Sequence, residues 1–462
     1  MSAPETSQLS QQSPRDVYRE RLTRTQQSLD AIQRQDRQFV RIRIGLFAAV
    51  LLTGLACLGS ESIGWSWLFL PLALFVGQLP LHARVIRRQG TLERIRQFYQ
   101  SCLDRLDRRW INQRQDGREF LQIDHPWALD LDVFGHGSLF QLLNECRTGP
   151  GRRELANWLT TVPDATVIRQ RQGRSQAMKF NLELREKLAQ ICDMADWSKA
   201  EQMLQEWAQR PLRMIPFWIV ACSCLLGIIA VPIVILITLG ILPFSAILLL
   251  LVLQMPLMAL SREQISETTS EMDSVDTALQ QLSQVTRIFE QEYFTDPDLL
   301  QLQSHLAGVE GPTYQAIERL SRLTGWLNDS VRNQFFAPIA WVCGLLVLLT
   351  WLLERWKQQH GNDVERWLAT AARFEATVSV AAFAFEHREY CLPEISVAAP
   401  EFTAVRLGHA LLPPSECVRN DVSLTADHPL ILISGSNMSG KSTLLRSIGS
   451  NVVLAFCGAV TC

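Results

Sequence analysis

Hydrophobic positions along this chain follow two kinds of pattern. Residues 44–59, 63–81, 214–239 and 241–260 carry no charged side chain, whereas the segments between them mix apolar and charged residues at helical spacing. A helix needs about 20 apolar residues to cross a bilayer, so these stretches are barely long enough, but flanking side chains can reach the interface. Because a short break divides each pair, the pattern predicts two transmembrane helical hairpins in a mainly α-helical fold.

The charges that flank these hairpins indicate how each is oriented. Arginines precede and follow both of them, at positions 34, 37, 41, 43, 84, 87 and 88 for the first and 210, 213 and 262 for the second. Since arginine is retained on the cytoplasmic side, both ends of each hairpin are predicted to be cytoplasmic. A hairpin buried inside a soluble protein is the alternative. The preferred interpretation is a multi-pass protein of the cell (inner) membrane that contacts lipid, with its soluble domains in the cytoplasm.

A further apolar run, residues 335–353, has arginines on both sides and therefore no sidedness. One more crossing after two complete hairpins would place the rest of the chain outside the cell. We therefore predict that residues 335–353 form a buried or interfacial helix.

Charged helices surround the first hairpin. Residues 15–43 show a thin apolar stripe at helical spacing, and residues 91–118 form a second arginine-rich helix. Its arginines suit a nucleic-acid patch or a solvated face near anionic lipid, and the second interpretation is preferred. Residues 1–14 are rich in Ser, Gln and Pro, which is typical of disorder.

The chemistry-bearing motif lies near the end of the chain. An apolar run at 430–433 predicts a strand, the sequence GSNMSGKS at 435–442 predicts a phosphate-binding loop, and an apolar pattern at helical spacing follows. Glycines let the backbone wrap around phosphates, so that N–H groups and the positive end of the helix face the anion. The predicted nucleotide-binding residues are Gly435, Ser436, Asn437, Met438, Ser439, Gly440, Lys441, Ser442 and Thr443.

Two of these residues have specific predicted roles. Lys441 is expected to contact the terminal phosphates and to support catalysis, and the Ser442 hydroxyl is expected to ligate Mg²⁺. ATP and Mg²⁺ are therefore the predicted cofactors.

Composition changes this picture little. The net charge of −2 excludes a uniformly basic, DNA-coating protein. The 11 cysteines include no pair at the C-x-x-C spacing of a zinc or redox site, which indicates small buried side chains in a reducing compartment.

Two separate segments resemble the MutS family of DNA mismatch repair proteins. The phosphate loop is similar to that family's Gly-Pro-Asn-Met-x-Gly-Lys-Ser-Thr, with Ser436 in place of proline. The stretch 124–185 resembles the family's core domain. The residues that carry this second resemblance are Leu131, Asp132, Val133, Phe134, Gly135, Ser138, Leu139, Phe140, Thr148, Gly151, Arg152, Arg153, Trp158, Leu159, Arg171 and Gln172.

The resemblance implies an α/β P-loop ATPase domain that begins near residue 391, ATP-dependent DNA binding, lever-like helices and a homodimer. It leaves the DNA-binding residues unknown. The Phe-x-Glu wedge with which family members read mismatches does not occur in this sequence. The chain also reaches Cys462 before an acidic strand that could hold Mg²⁺, so we expect a fragment of a longer protein whose own hydrolysis is uncertain.

The predicted layout has six parts. They are a tail and charged helix (1–43), hairpin one (44–81), a linker and core domain (82–213), hairpin two (214–260), lever-like helices (261–390) and the ATPase start (391–462). The leading hypothesis is a membrane-anchored MutS-type ATPase that lacks the mismatch-reading domain. The alternatives are a transporter-type membrane ATPase and a non-catalytic membrane scaffold.

Overall fold

The computed structural model describes residues 9–59, 65–111, 115–192, 197–272, 275–308, 311–397, 401–436 and 439–462. These residues are mainly helical, as predicted. The helices of the first half are α1 (Pro14–Gly59), α2 (Phe69–Leu106), α3 (Leu139–Leu143), α4 (Gly149–Thr160), α5 (Ala165–Met178), α6 (Leu182–Ala189), α7 (Trp197–Gln209) and α8 (Phe217–Thr238).

The second half continues with α9 (Ser245–Leu260), α10 (Arg262–Met272), α11 (Asp276–Gln291), α12 (Pro297–Ser304), α13 (Thr313–Arg332), α14 (Ala337–Val342), α15 (Leu345–His360), α16 (Val364–Glu386) and α17 (Lys441–Phe456). Short 3₁₀ turns cover Trp65–Leu68, Arg118–Phe120 and Gly361–Asp363. The strands are β1 (Ala307–Gly308), β2 (Gly311–Pro312), β3 (Phe402–Leu407) and β4 (Asn420–Leu424), which form two antiparallel pairs, β1–β2 and β3–β4.

The chain divides into two compact units, of which the first contains α1, α2 and α6. Helices α1 and α2 run antiparallel, because ring contacts join early residues of one to late residues of the other: Tyr18 to Tyr99 at 6.2 Å and Phe47 to Phe75 at 6.4 Å. His82 Nε2 lies 2.7 Å from the Asp36 carboxylate. This polar pair lies next to the apolar parts of α1 and α2 and fixes the register of the two helices.

Helix α1 is one uninterrupted helix, so the predicted charged helix and the first predicted span are continuous. Ser13 caps it, since its hydroxyl accepts from the Asp16 N–H at 3.2 Å. Of the tail predicted to be disordered, residues 1–8 lie outside the described residues, and residues 9–11 are helical. The prediction of a helix over 91–118 was wrong at its end, because α2 stops at Leu106 and Gly117 turns the chain with φ of +70°.

The core of the second unit is α16, which is buried along almost its whole length. It packs against α4, α5 and α11, and Phe374 stacks on Phe289 with ring centroids 4.2 Å apart. Although α15–α16 is apolar enough for a span, 89% of its most apolar window is buried inside the protein. Most of this apolar window therefore lies inside the protein.

Helices α8 and α9 of the second predicted hairpin pack with α14 and α15. Their shared core contains Ile219, Met258 and Val347. A Cβ on Gly227 would lie 2.3 Å from the Cys343 carbonyl oxygen, so glycine allows α8 to approach this backbone closely. The apolar run 335–353 is consequently buried in part, as predicted, but it forms two helices that break at Gly344 instead of one, with φ of +66° there.

Several helices are long and apolar enough to cross a membrane. Within the described residues these are Pro14–Ala56, Ser66–Leu106, Phe217–Thr238 and Leu345–Glu386, and a bent pair, Ser245–Leu260 with Arg262–Ser270, is a further candidate. Many large apolar side chains of α1, α2, α8 and α9 are exposed in the isolated chain.

Candidate nucleotide-binding site

The predicted phosphate loop leads into α17 through a glycine. Gly440 occupies the N-cap position of α17 with φ of +87°, a left-handed conformation that favours glycine. Gly435, Ser436 and Ser439 are exposed, whereas Asn437 and Met438 lie outside the described residues. Among the described residues, the chain therefore enters α17 through a left-handed glycine, and the phosphate loop stays a prediction.

The first turn of α17 presents the remaining predicted residues. Lys441 Nζ donates to the backbone carbonyls of Gly435 and Ser436, the latter at 3.0 Å. Its ammonium group is thus held against the loop, and Ser442 and Thr443 are exposed beside it. An exposed helix N-terminus with free N–H groups and an adjacent lysine fits the phosphates of a nucleotide.

A bound Mg²⁺ would have one of the predicted residues as a protein ligand. The Ser442 hydroxyl offers one oxygen at the first turn of α17. This arrangement suits Mg²⁺, which usually takes one or two protein ligands and completes its shell with phosphate oxygens and water. The fit therefore depends on the phosphates being bound first.

The predicted strand at 430–433 was wrong. These residues have no strand conformation, and the exposed fractions of Leu430 and Leu432 are 82% and 90%. A strand needs a neighbour to pair its backbone groups, and in the described residues β3 pairs only with β4. The described residues therefore show a helix after the loop but no strand before it, and the predicted α/β start is not evident in them.

Helix α17 lies against the segment that resembles the MutS core domain. The Arg446 guanidinium is 2.7 Å from the Asp132 carboxylate. One turn further on, a Cβ on Gly449 would lie 2.5 Å from the Leu131 side chain. Leu131 and Asp132, which were identified only as motif residues, are therefore contacts of the helix that follows the phosphate loop.

Another motif residue, Arg171, holds the end of α17. Its Nη1 donates to the Phe456 carbonyl at 2.7 Å, and its guanidinium lies over the Trp158 ring at 4.3 Å. Burial lowers the pKa of Arg171 from its ordinary value. Cations near a helix C-terminus stabilise its unpaired carbonyls and its dipole.

Nearby residues extend this contact. The Ser175 hydroxyl donates to the Gly458 carbonyl at 3.2 Å, and Gln172 Nε2 donates to the Pro393 carbonyl at 2.7 Å. We use the name α17 seat for Leu131, Asp132, Trp158, Arg171, Gln172 and Ser175. The seat connects helix α17 to helices α4 and α5 and to the loop at Leu131–Asp132.

Asn451 is a structural residue of this region that the sequence analysis missed. Its Nδ2 donates to the Gly408 carbonyl at 2.8 Å, and its Oδ1 accepts from the Cys462 N–H at 2.7 Å. It is almost fully buried and joins three separate segments. A polar residue in the apolar pattern of α17 was the only signal for it.

The arginine-rich stretch 91–118, considered above as a nucleic-acid patch, contains ion pairs. Arg96 lies 2.5 Å from Glu93, and Arg109 lies 2.8 Å from Asp107. These pairs agree with the preferred interpretation of a solvated charged face, and no DNA-binding residue is assigned.

Comparison with known proteins gives partial similarity to mismatch repair proteins. The chain is 31% identical over 115 residues to the probable DNA mismatch repair protein Msh6 of Drosophila melanogaster, a match that covers 23% of this chain and 10% of that protein. It is 32% identical over 109 residues to the DNA mismatch repair protein MutS of Shouchella clausii, covering 21% of this chain and 12% of that protein. No protein-family profile matches the chain.

These matches support a MutS-like relationship for part of the chain. The chain spans about a tenth of the length of these two relatives.

Proposed function

We propose that this chain is the membrane-anchored, nucleotide-responsive part of a MutS-type ATPase. The observation that carries the proposal is the α17 seat. The residues that resemble the MutS core domain contact the helix that begins at the phosphate loop. A change at the N-terminus of α17 would therefore be transmitted to the core helices through direct contacts.

In this proposal the loop binds the phosphates of ATP. The first N–H groups of α17 and the Lys441 ammonium bind the phosphates, and Ser442 contributes a ligand to Mg²⁺. When bound, Mg²⁺ neutralises phosphate charge. The complete protein would act as a homodimer on DNA, as the resemblance implies, with its apolar hairpins in the membrane.

The first test is nucleotide binding by the full-length protein. Lys441→Ala removes a charged donor, so we expect the Kd for MgATP to rise about tenfold to a hundredfold. Lys199→Ala, which removes an exposed lysine of α7, is the matched control and should bind as the wild type does. Equal affinity of both variants and the wild type, or no measurable affinity in any of them, would reject the proposed nucleotide site.

The DNA part of the proposal needs its own measurement. ATP hydrolysis by the full-length protein should increase when duplex, branched or single-stranded DNA is added. If no DNA structure changes the rate although MgATP binds, then the nucleotide site stands and DNA is removed from the proposal.

A transporter-type ATPase remains the second candidate, because the chain has several apolar helices that could span a membrane. It predicts substrate flux in reconstituted vesicles that disappears in Lys441→Ala. Flux without any response to DNA would replace the MutS-type proposal.

A further inference from the structure

Two cysteines approach each other beside Gly408, which directly follows β3. A Cβ on Gly408 would lie 2.7 Å from the Cys462 sulfur and 3.0 Å from the Cys417 sulfur, so a side chain here would displace at least one of them. Two sulfurs that near to one point are separated by at most the sum of these two distances. Glycine at position 408 thus leaves the space into which both thiols project.

Backbone contacts fix the positions of both cysteines. Cys462 follows α17, and its N–H donates to Asn451 Oδ1 at 2.7 Å while its carbonyl accepts from the Gly408 N–H at 3.0 Å. Cys417 lies in the loop between β3 and β4, and its sulfur accepts from the His409 N–H at 3.1 Å. The approach of the two thiols therefore follows from the main-chain arrangement around residues 408 and 409, and it belongs entirely to the second unit.

The two thiols are open to small reagents. Both are reduced and partly exposed, which differs from the small buried cysteines that the sequence predicted. Cys457, five positions before Cys462, is fully buried, and burial raises the pKa of its thiol to about 12. Since oxidation of cysteine depends on access and on thiolate formation, an oxidant would react with the thiols beside Gly408 more readily than with Cys457.

We propose that Cys417 and Cys462 form a reversible disulfide when the protein meets a hydroperoxide, and that this bond restrains the segment that follows α17. Rotation of the two side chains, with a small backbone adjustment, would bring the sulfurs to the S–S bond length of about 2.05 Å. Transient disulfides of this kind occur in compartments that are otherwise reducing. Neither the bond nor its test depends on the proposed nucleotide site.

The chemistry needs only the two thiols and the peroxide. One sulfur attacks a peroxide oxygen, the O–O bond breaks, and a sulfenic acid and one water form from hydrogen peroxide. The second sulfur then attacks the first, so that the S–S bond forms, the S–O bond breaks and a second water leaves. The two sulfurs lose two electrons to the peroxide, and the two thiol protons end in the two waters.

The bond would act on the end of α17. Asn451 of α17 already joins Gly408 to Cys462 through hydrogen bonds. A disulfide would add a covalent connection between the loop at Cys417 and the segment after α17. Because the two segments could then not separate, local opening that exposes the N–H groups of residues 456–462 would become rarer.

Disulfide mapping of the full-length protein tests the bond. The protein is treated with hydrogen peroxide in detergent, its remaining thiols are alkylated, and it is digested with trypsin without reduction. We expect mass spectrometry to find the peptide 407–419, which contains Cys417, joined to the peptide that begins at Ser447 and contains Cys462. Dithiothreitol should separate the two peptides.

Variants assign the bond to one pair of sulfurs. Cys417→Ser and Cys462→Ser should each abolish the cross-link. Cys457→Ser removes the other cysteine of the second peptide, and Cys391→Ser removes an exposed thiol whose sulfur lies 3.4 Å from the Thr461 hydroxyl. Both are matched controls and should keep the cross-link.

Several results of this mapping would overturn the disulfide. They are sulfinic acid at Cys417 or Cys462 without a cross-link, a cross-link that Cys457→Ser or Cys391→Ser abolishes, and a cross-link that joins two chains instead of one. A mixture of isotopically labelled and unlabelled protein separates the last case, since a bond between chains produces peptide pairs of mixed label.

Hydrogen exchange then measures the restraint. In the oxidised wild type we expect exchange at residues 456–462 to be about tenfold slower than in the reduced protein. Cys462→Ser that has been treated with peroxide in the same way controls for other effects of the oxidant, and its exchange should not slow. Equal exchange in the oxidised and reduced wild type would refute the restraint even where the disulfide forms.

Discussion

Glu375 shows how a single buried residue joins distant parts of the second unit. Its carboxylate accepts from the Arg147 N–H at 2.7 Å and from the Thr148 N–H at 3.3 Å, and the Thr148 hydroxyl also donates to it. A Cβ on Gly151 would lie 2.3 Å from this carboxylate. Thr148 and Gly151, known from the sequence only as motif residues, therefore form the pocket in which Glu375 contacts the start of α4.

Replacement of Glu375 tests how much this pocket stabilises the fold. Glu375→Ala leaves buried N–H and O–H donors without an acceptor, so we expect a loss of about 3 kcal/mol in the free energy of unfolding. Glu365→Ala, an exposed glutamate of the same helix, is the control and should change it by less than about 0.5 kcal/mol. Denaturant unfolding in detergent gives both values, and similar losses would contradict the assigned role of Glu375.

The stability of the protein should also depend on the ionisation of Glu375. Burial raises the pKa of this carboxyl above its ordinary value of 4.5. Between 4.5 and the raised pKa the folded state holds more protons than the unfolded state, so stability falls as pH rises through that window. Glu375→Gln lacks this titration, and the difference in Tm between wild type and variant should therefore shift in favour of the variant with rising pH. A difference that is constant from pH 4.5 to 9 would show that Glu375 does not titrate there.

At the scale of elements, two of the contacts that hold α17 should differ in the free energy that they contribute. The side chains of Arg446 and Asp132 are each about half exposed, at 47% and 46%, and exposed ion pairs contribute at most about 1 kcal/mol. Arg171 is buried, bonds the Phe456 carbonyl and stacks on Trp158. The contact made by Arg171 should therefore contribute more to holding α17 in place than the ion pair of Arg446 and Asp132.

Arg171→Met keeps the length of the side chain but removes the charge and the donor. We expect a loss of about 2 kcal/mol in stability and faster hydrogen exchange at residues 456–462. Arg169→Met is the control, since Arg169 is exposed and donates to the Ile395 carbonyl, outside α17. Hydrogen exchange that is equally fast in both variants would show that Arg171 does not hold α17.

Sequence reasoning predicted elements well where the signal is local. Helix α17 follows from its apolar spacing and Gly440, and α8 and α9 follow from long uncharged runs. Helix α1 follows from a charged stretch with an apolar stripe that continues into such a run. The prediction of a strand at 430–433 was wrong because a strand depends on a partner elsewhere in the chain, and an apolar run does not indicate whether that partner is present. The α17 seat and Glu375 were missed for the same reason: Thr148 and Glu375, for example, are 227 positions apart.

At the scale of the whole molecule, the proposed membrane anchoring makes a prediction about the phosphate loop, because an even or odd number of crossings would place the loop on opposite sides of the membrane. The additional apolar run does not need to cross, because it breaks at Gly344, packs on the second hairpin and continues into the buried helix α16. If the two proposed hairpins each return to their side of origin, we expect Lys441 to be on the same side of the membrane as residues 14–43.

Cysteine labelling tests this arrangement. We expect Leu239→Cys, at the exposed tip between α8 and α9, to react with a membrane-impermeant maleimide added to intact cells. Ser436→Cys, in the exposed phosphate loop, should react only after the cells are permeabilised. The unsubstituted protein measures the background from its native cysteines. If Ser436→Cys reacts in intact cells, then one more segment crosses the membrane, and the loop has no access to cytoplasmic ATP. If neither variant reacts until permeabilisation, then the second hairpin does not span, and its apolar surface must be covered by protein instead of lipid.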